Sequence, residues 1–239
     1  MAAAAAAVAA LVRGMRLRYQ RGVGDSFIEL EARLGVLCPG RFQSGVSTED
    51  FTRIVTGLQD YPGWTAPPSP WLETHDYTFK APSDGTPIRI TSAGGTERIF
   101  VQKAVLASED LVCVPMPRGC FRSPSHYDIR VAVSQERQLS EADVSTQPVS
   151  TQYVRIKLRR SFYYKVWRMD VTQSWSGATL KDAELVRKNG VPTNEVEVEC
   201  SDAAAALYAS SDEYLAESLI LKISSMLNAG EVQFDLKRG

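Results

Sequence analysis

The stretch Glu195-Val196-Glu197-Val198-Glu199 has a counterpart near the other end of the chain, Glu29-Leu30-Glu31-Ala32-Arg33. In both, charged and apolar residues alternate without a break. Successive side chains of a β-strand point to opposite faces, so each stretch would carry its charges on one face and its aliphatics on the other. Carboxylates arrayed in this way repel one another unless positive charge stands among them. Hard divalent cations such as Mg²⁺ and Mn²⁺ take oxygen ligands and suit such a set. The pattern points to a metal-dependent enzyme acting on phosphates.

The segments between these two ends follow the same alternation. Arg155, Lys157 and Arg159 alternate with Val154, Ile156 and Leu158. Arg168, Asp170 and Thr172 alternate with Trp167, Met169 and Val171. Asp128, Arg130, Ala132, Ser134 and Glu136 share a face opposite Ile129, Val131 and Val133. An antiparallel sheet with one solvated face also alternates, but it would mix its signs or pair them across neighbouring strands. Here one strand is wholly basic and two are acidic. A closed barrel resolves the pattern, with the charged face lining a tunnel and the apolar face packed outward. Acidic strands would then hold metal, and basic strands the phosphates of a polyanion.

The expected fold is mainly β (α+β): a closed antiparallel β-barrel forming a charged triphosphate tunnel, with flanking helices including a C-terminal one. Expected strands are Ser26–Val36, Trp71–Phe79, Pro87–Thr91, Glu97–Ala107, 126–136, Gln152–Phe162, Lys165–Ser174 and Glu195–Cys200. Turn or loop chemistry separates them at Ser83-Asp84-Gly85, Ala93-Gly94-Gly95, Pro115–Pro124 and Glu141–Pro148. Capping hydroxyls and acids at Ser47-Thr48-Glu49-Asp50 open a helix lined by Phe51, Ile54, Val55 and Leu58. A Pro-rich connection, Tyr61–Pro70, follows it. Ala178–Lys188 is a short helix candidate. The last helix is capped by Ser210 or Ser211, carries Leu215, Leu219, Ile220, Ile223 and Leu227 on one face, and stops at Gly230.

Composition narrows the function classes. The chain has 239 residues and 44% apolar content, enough for a packed interior. Residues 1–24 form an Ala-rich, low-complexity, partly helical extension, and residues 25–239 a single tunnel domain. A net charge of −1 gives no footprint for a long nucleic-acid backbone, so any RNA contact is local. Cys38, Cys113, Cys120 and Cys200 show no CxxC spacing and are expected reduced and mostly buried. With His75 and His126 as the only histidines, carboxylates, Lys and Arg must carry the chemistry. No run approaches the about 18 apolar residues of a membrane span, and the Ala-rich start lacks the positive n-region of a signal peptide. An intracellular protein with no membrane partner is expected.

These residues resemble the RNA 5′-triphosphatases of the fungal and protozoal mRNA-capping apparatus, triphosphate tunnel metalloenzymes, with the protozoal kind expected. The resemblance runs from about Phe27 to Cys200. Ile28-Glu29-Leu30-Glu31 is similar to the family's first metal-binding strand, and Glu195–Glu199 to its last. Arg155-x-Lys157-x-Arg159, the Arg168-x-Asp170-x-Thr172 strand and the strand ending at Glu136 stand between them in the family's order. Arg89 and Lys103 match the remaining phosphate-binding positions. Two departures stand out: Leu34 replaces an aromatic, and Arg33 a common lysine.

The resemblance implies metal-dependent hydrolysis of the β–γ bond at the 5′-triphosphate end of RNA, the first step of capping. By it, Glu29, Glu31 and Glu199 hold Mg²⁺ or Mn²⁺. Glu136, Glu197, Lys157, Arg159 and Arg89 are catalytic, with Glu136 deprotonating water and Glu197 assisting through the metal's waters. Arg89, Lys103, Arg155, Lys157, Arg159 and Arg33 bind phosphate, although Arg155 also suits bracing an acid. Asp128, Arg130, Arg168, Asp170, Thr172 and Glu195 support the set. It further implies a nuclear protein, monomeric as protozoal relatives often are, working with a separate RNA guanylyltransferase. Two rivals remain at this point. One is a tunnel enzyme acting on inorganic tripolyphosphate or a nucleoside triphosphate. The other is a non-catalytic barrel that binds polyphosphate or inositol phosphates.

Overall fold

β-branched and aromatic residues at every second position favour strands over most of the chain, and the strands close on themselves. The structure is a computed structural model describing residues 2–22, 24, 26–80, 86–93, 97–114, 127–145, 152–227 and 233–236. In chain order the elements are α1 (Ala2–Arg21), β1 (Ser26–Cys38), β2 (Arg41–Ser44), α2 (Thr48–Asp60), β3 (Leu72–Lys80), β4 (Pro87–Ala93), β5 (Glu97–Val114), β6 (Asp128–Leu139), α3 (Glu141–Ser145), β7 (Tyr153–Tyr164), β8 (Trp167–Gly177), α4 (Leu180–Asn189), β9 (Thr193–Cys200), α5 (Ala203–Ala209), α6 (Asp212–Ser225) and β10 (Gln233–Leu236).

The antiparallel ladder runs β1-β6-β5-β4-β3-β7-β8-β9 and returns to β1, a closed eight-stranded barrel. β2 adds a hairpin to β1, and β10 an extra strand to β5. The expected barrel is therefore the observed fold, with its charged face inward. Closure also removes the free sheet edges along which chains aggregate.

The main apolar core lies outside the barrel. Ile28, Leu30 and Leu34 of β1, Ile129 and Val131 of β6, and Val196 and Val198 of β9 are buried against the helices. α6 supplies Leu215, Leu219 and Ile223, each fully or almost fully buried. Each such aliphatic contributes about 1.5–3 kcal/mol through removal from water. Ser47 caps α2, Thr179 caps α4 in a reciprocal capping box, and Ser211 caps α6.

Several expectations change. The Ala-rich N-terminus is a full helix, and Ala4, Val8, Ala9, Val12 and Met15 are buried in the main core. Arg16 fastens it to the far end of the chain, donating to the carbonyls of Leu207 and Ser210 and pairing with Asp212. A short helix, α3, lies within the expected Glu141–Pro148 loop, because Val144 packs on Ile88 and Phe100. β5 continues to Val114, carried past Ala107 by pairing with β6 through an irregularity between Val105 and Ala107. Cys38 and Cys113 are only half-buried, whereas Cys200, at the end of β9, is buried in the main core. The turns at Ser83-Asp84-Gly85 and Gly94-Gly95, the Pro115–Pro124 loop, Cys120 and the stop at Gly230 lie outside the described residues.

Candidate active site

Register brings the charged residues together. Glu31 lies directly across from Glu199, and Arg33 from Glu197. Across β8 and β9, Arg168 faces Glu199, Asp170 faces Glu197 and Thr172 faces Glu195. Lys103 lies opposite Glu136, and Glu29 opposite Ser134. The charged residues of β1, β8 and β9 face the tunnel, because Leu30, Ala32, Met169, Val171, Val196 and Val198 between them fill the outer core.

The acidic end gathers Glu29, Glu31, Glu136 and Glu199, the first three buried. The Lys103 ammonium stands among them, in a short ion pair with Glu29, 3.5 Å from Glu31 and 3.4 Å from Glu136. Arg168 grips Glu199 from the other side. Burial and the nearby Glu29 carboxylate push Glu199 up to about 8. Glu31 is also raised, by burial, although Arg33 opposes the shift. Burial works against ionised Glu29 too, but Lys103 outweighs it and holds that carboxyl below its usual range.

The middle of the tunnel is a braced lattice. Glu197 pairs with Arg33 at 2.8 Å and Arg159 at 3.8 Å. Burial opposes its charge, yet these guanidiniums hold it down at about 2, so it stays ionised. Asp170 takes Arg159 at 3.1 Å, Arg168 at 3.1 Å and the Ser161 hydroxyl at 2.6 Å. Thr172 accepts from Arg159.

The basic end carries Arg155, Lys157 and Arg89. Arg155 pairs with Glu195 at 3.4 Å, so it braces an acid. Arg89 reaches Glu136 at 3.6 Å. Lys157 is buried against Asp76 at 2.6 Å, and Thr91 donates to the same aspartate. Burial lowers the Lys157 pKa despite this partner, and the neighbouring charges of Arg159, Arg155 and Arg89 lower it further.

Asp76 is a site residue that the sequence reading missed. Its only sequence signal is a place between Thr74 and Thr78 on an alternating strand, with no charged neighbour on that face. Conversely, Asp128 and Arg130 are engaged away from Glu29, Glu31 and Glu199. Asp128 accepts from the backbone amides of Leu37 and Cys113, and Arg130 forms a fork with Asp110 over the Phe42 ring. They lie at the β1 end that pairs with Gly35 and Arg33, away from Glu29.

The donor chemistry fits a hard divalent ion. Carboxylate oxygens converge on a cation, and Lys103 is the stand-in. Ser134 adds a buried hydroxyl with no partner among the described residues. As the side chains stand, no group of three or more His, Cys, Asp or Glu among the described residues is arranged to hold an ion, because Lys103 and Arg168 occupy the oxygens.

Known structures share the fold. The S. pombe Pct1 RNA triphosphatase superposes with a TM-score of 0.63 at 15% identity, covering 93% of this chain and 91% of that one. The same protein in complex with the Spt5 CTD gives 0.63 at 17% identity, with the same coverage. The Mimivirus capping enzyme triphosphatase gives 0.58 at 14% identity, covering 91% of this chain and 95% of that one. No curated protein sequence matches the chain. Residues 75–231, however, match the family described as mRNA capping enzyme, beta chain. With the closed barrel and its charged lumen, that match places the chain in the family of mRNA capping enzyme beta chains, RNA 5′-triphosphatases of the tunnel type.

Proposed function

We propose that this tunnel removes the γ-phosphate from triphosphate-ended RNA through the following division of labour. Glu136 takes a proton from the attacking water; its buried place between Arg89 and Lys103 supports that role. Water oxygen bonds to the γ-phosphorus as the bond to the β–γ bridging oxygen breaks. The products are inorganic phosphate and a diphosphate end. Arg159, Lys157 and Arg89 offset the charge on the phosphate oxygens, and such positioned charge is the main catalytic resource in phosphoryl transfer.

Glu29, Glu31 and Glu199 would hold Mg²⁺ or Mn²⁺, which supplies Lewis-acid polarisation of a phosphate oxygen when bound. Glu197 works as an anchor, since its oxygens are engaged by Arg33 and Arg159. Arg155, Arg168, Asp170, Thr172 and Glu195 hold the reacting residues in register.

The observation that carries this reading is the closed lumen in which Glu29, Glu31, Glu136 and Glu199 converge at one end, with Lys103, Arg89 and Arg168 set against them. Because one chain closes the whole barrel, a monomer suffices for the site. The capping family supports a nuclear setting and a separate RNA guanylyltransferase that consumes the diphosphate end. The Spt5 CTD complex of Pct1 makes an analogous tail a further candidate partner.

The test is phosphate release from γ-labelled triphosphate-ended RNA with Mg²⁺ or Mn²⁺, for the intact chain and Glu29→Ala. Release that needs both metal and Glu29 is expected. Metal-independent release, or full activity of the variant, would overturn the metal assignment.

A further inference from the structure

Lys103 is a tunnel cation held by carboxylates rather than turned toward the space a phosphate would fill. A residue that serves phosphate should face a phosphate, yet its ammonium engages Glu29, Glu31 and Glu136 at once. Three arginines are held differently. Arg33 spans Glu31 and Glu197, Arg159 spans Asp170 and Glu197, and Arg168 spans Asp170 and Glu199. A planar guanidinium forked between two acids has little freedom to leave them. Lys157 is locked by burial against Asp76, its side chain 10% exposed, whereas that of Lys103 is 21% exposed. Lys103 alone combines a flexible four-carbon stem, rotatable donors and room to move.

Two of its three partners, Glu29 and Glu31, are carboxylates read above as metal-holding. A carboxylate that neutralises an ammonium in contact cannot give the same oxygen to a dication, and the two cations repel at that distance. We infer that Lys103 and the divalent ion compete for the same carboxylates, so that ion entry moves Lys103 onto the phosphates and couples the two binding events. The inference rests on the metal reading above. By linkage, phosphate that draws Lys103 away tightens ion binding by the factor with which the ion tightens phosphate binding. The ion-free tunnel is thereby kept from being an open well of negative charge.

The test measures ion binding rather than turnover. Mn²⁺ is titrated by electron paramagnetic resonance into the intact chain and into Lys103→Met, first without anion and then with sulfate as the phosphate probe. Without anion, Lys103→Met is expected to bind Mn²⁺ about tenfold more tightly or better. Sulfate is expected to tighten Mn²⁺ binding in the wild type and to have no such effect in the variant. Equal or weaker Mn²⁺ binding by the variant overturns the competition while leaving the metal site standing. No Mn²⁺ binding by either protein overturns the metal reading itself. Should Lys103→Met lose its fold by circular dichroism, the wild type still decides the matter. With uniform ¹⁵N labelling, the Lys103 ammonium resonance is expected to shift and exchange faster as Mg²⁺ is added. A Lys103 signal that stays put while backbone signals of Glu29 and Glu199 respond refutes the inference.

Discussion

Asp76 and Lys157 sit on adjacent strands with Oδ2 and Nζ 2.6 Å apart, both buried in the tunnel wall. Burial disfavours each charge alone, and the pair survives because each offsets the other. Lys157 already has a lowered pKa, and the Asp76 charge is the first interaction opposing that shift. In Asp76→Asn the pKa falls further, so Lys157 loses its proton at a lower pH and stops attracting phosphate sooner as pH rises. The alkaline limb of kcat/KM should move down by about one pH unit or more. Profiles of wild type and variant that superimpose would show that Lys157 is not a charged phosphate ligand.

Glu136→Gln keeps the shape of the side chain and removes the proton acceptor. A general base is worth about 10²–10⁴-fold in rate, so kcat should fall by that range with KM little changed. Single-turnover kinetics on triphosphate-ended RNA measure it. A KM effect at constant kcat would recast Glu136 as a binding group.

Arg159→Lys preserves charge but not the fork that joins Asp170, Glu197 and Thr172. One ammonium cannot bridge those partners, so Glu197 loses a brace. The expected loss in kcat/KM is about 10²-fold, comparable to deleting one stabilising donor. Near wild-type rates for the lysine variant would mean that charge alone is needed here.

Arg16→Ala removes two hydrogen bonds and an ion pair that join α1 to the α5–α6 junction, leaving the Arg13 pairs and the apolar contacts of α1. Hydrogen bonds to a charged donor of this kind are worth about 1.5–3 kcal/mol together with the carbonyls left behind. Guanidinium denaturation should show a loss on that scale. A change under about 0.5 kcal/mol would place α1 outside the cooperative unit.

The charged lumen was legible because barrel strands write it into every second residue: Glu29 with Glu31, Lys157 with Arg159, Glu197 with Glu199. Other parts left no such mark. Alanine is small enough to read as low complexity, so the buried stripe of Ala4, Val8, Val12 and Met15 did not announce a core helix. β2 and β10 are too short for their alternation to stand out. Asp76 hid because its face neighbours are threonines. Asp128 and Arg130 misled for the opposite reason: they continue the Glu136 pattern along β6, but the strand outruns the site and spends them on backbone amides and Asp110.

The barrel is closed at β1 and β9 by a ladder whose register pairs only Glu31 with Glu199, Ala32 with Val198 and Arg33 with Glu197. These partners are more than 160 residues apart in the chain, so the seam carries a large loop-closure cost. It is also the place where the acidic cluster is assembled. A ribosome-bound chain that lacks β9 has strands and an outer core but no complete lumen, and therefore no premature trap for ions or nucleotides. Competence should arrive in a single late step, when β9 pairs with β1 and shuts the ring.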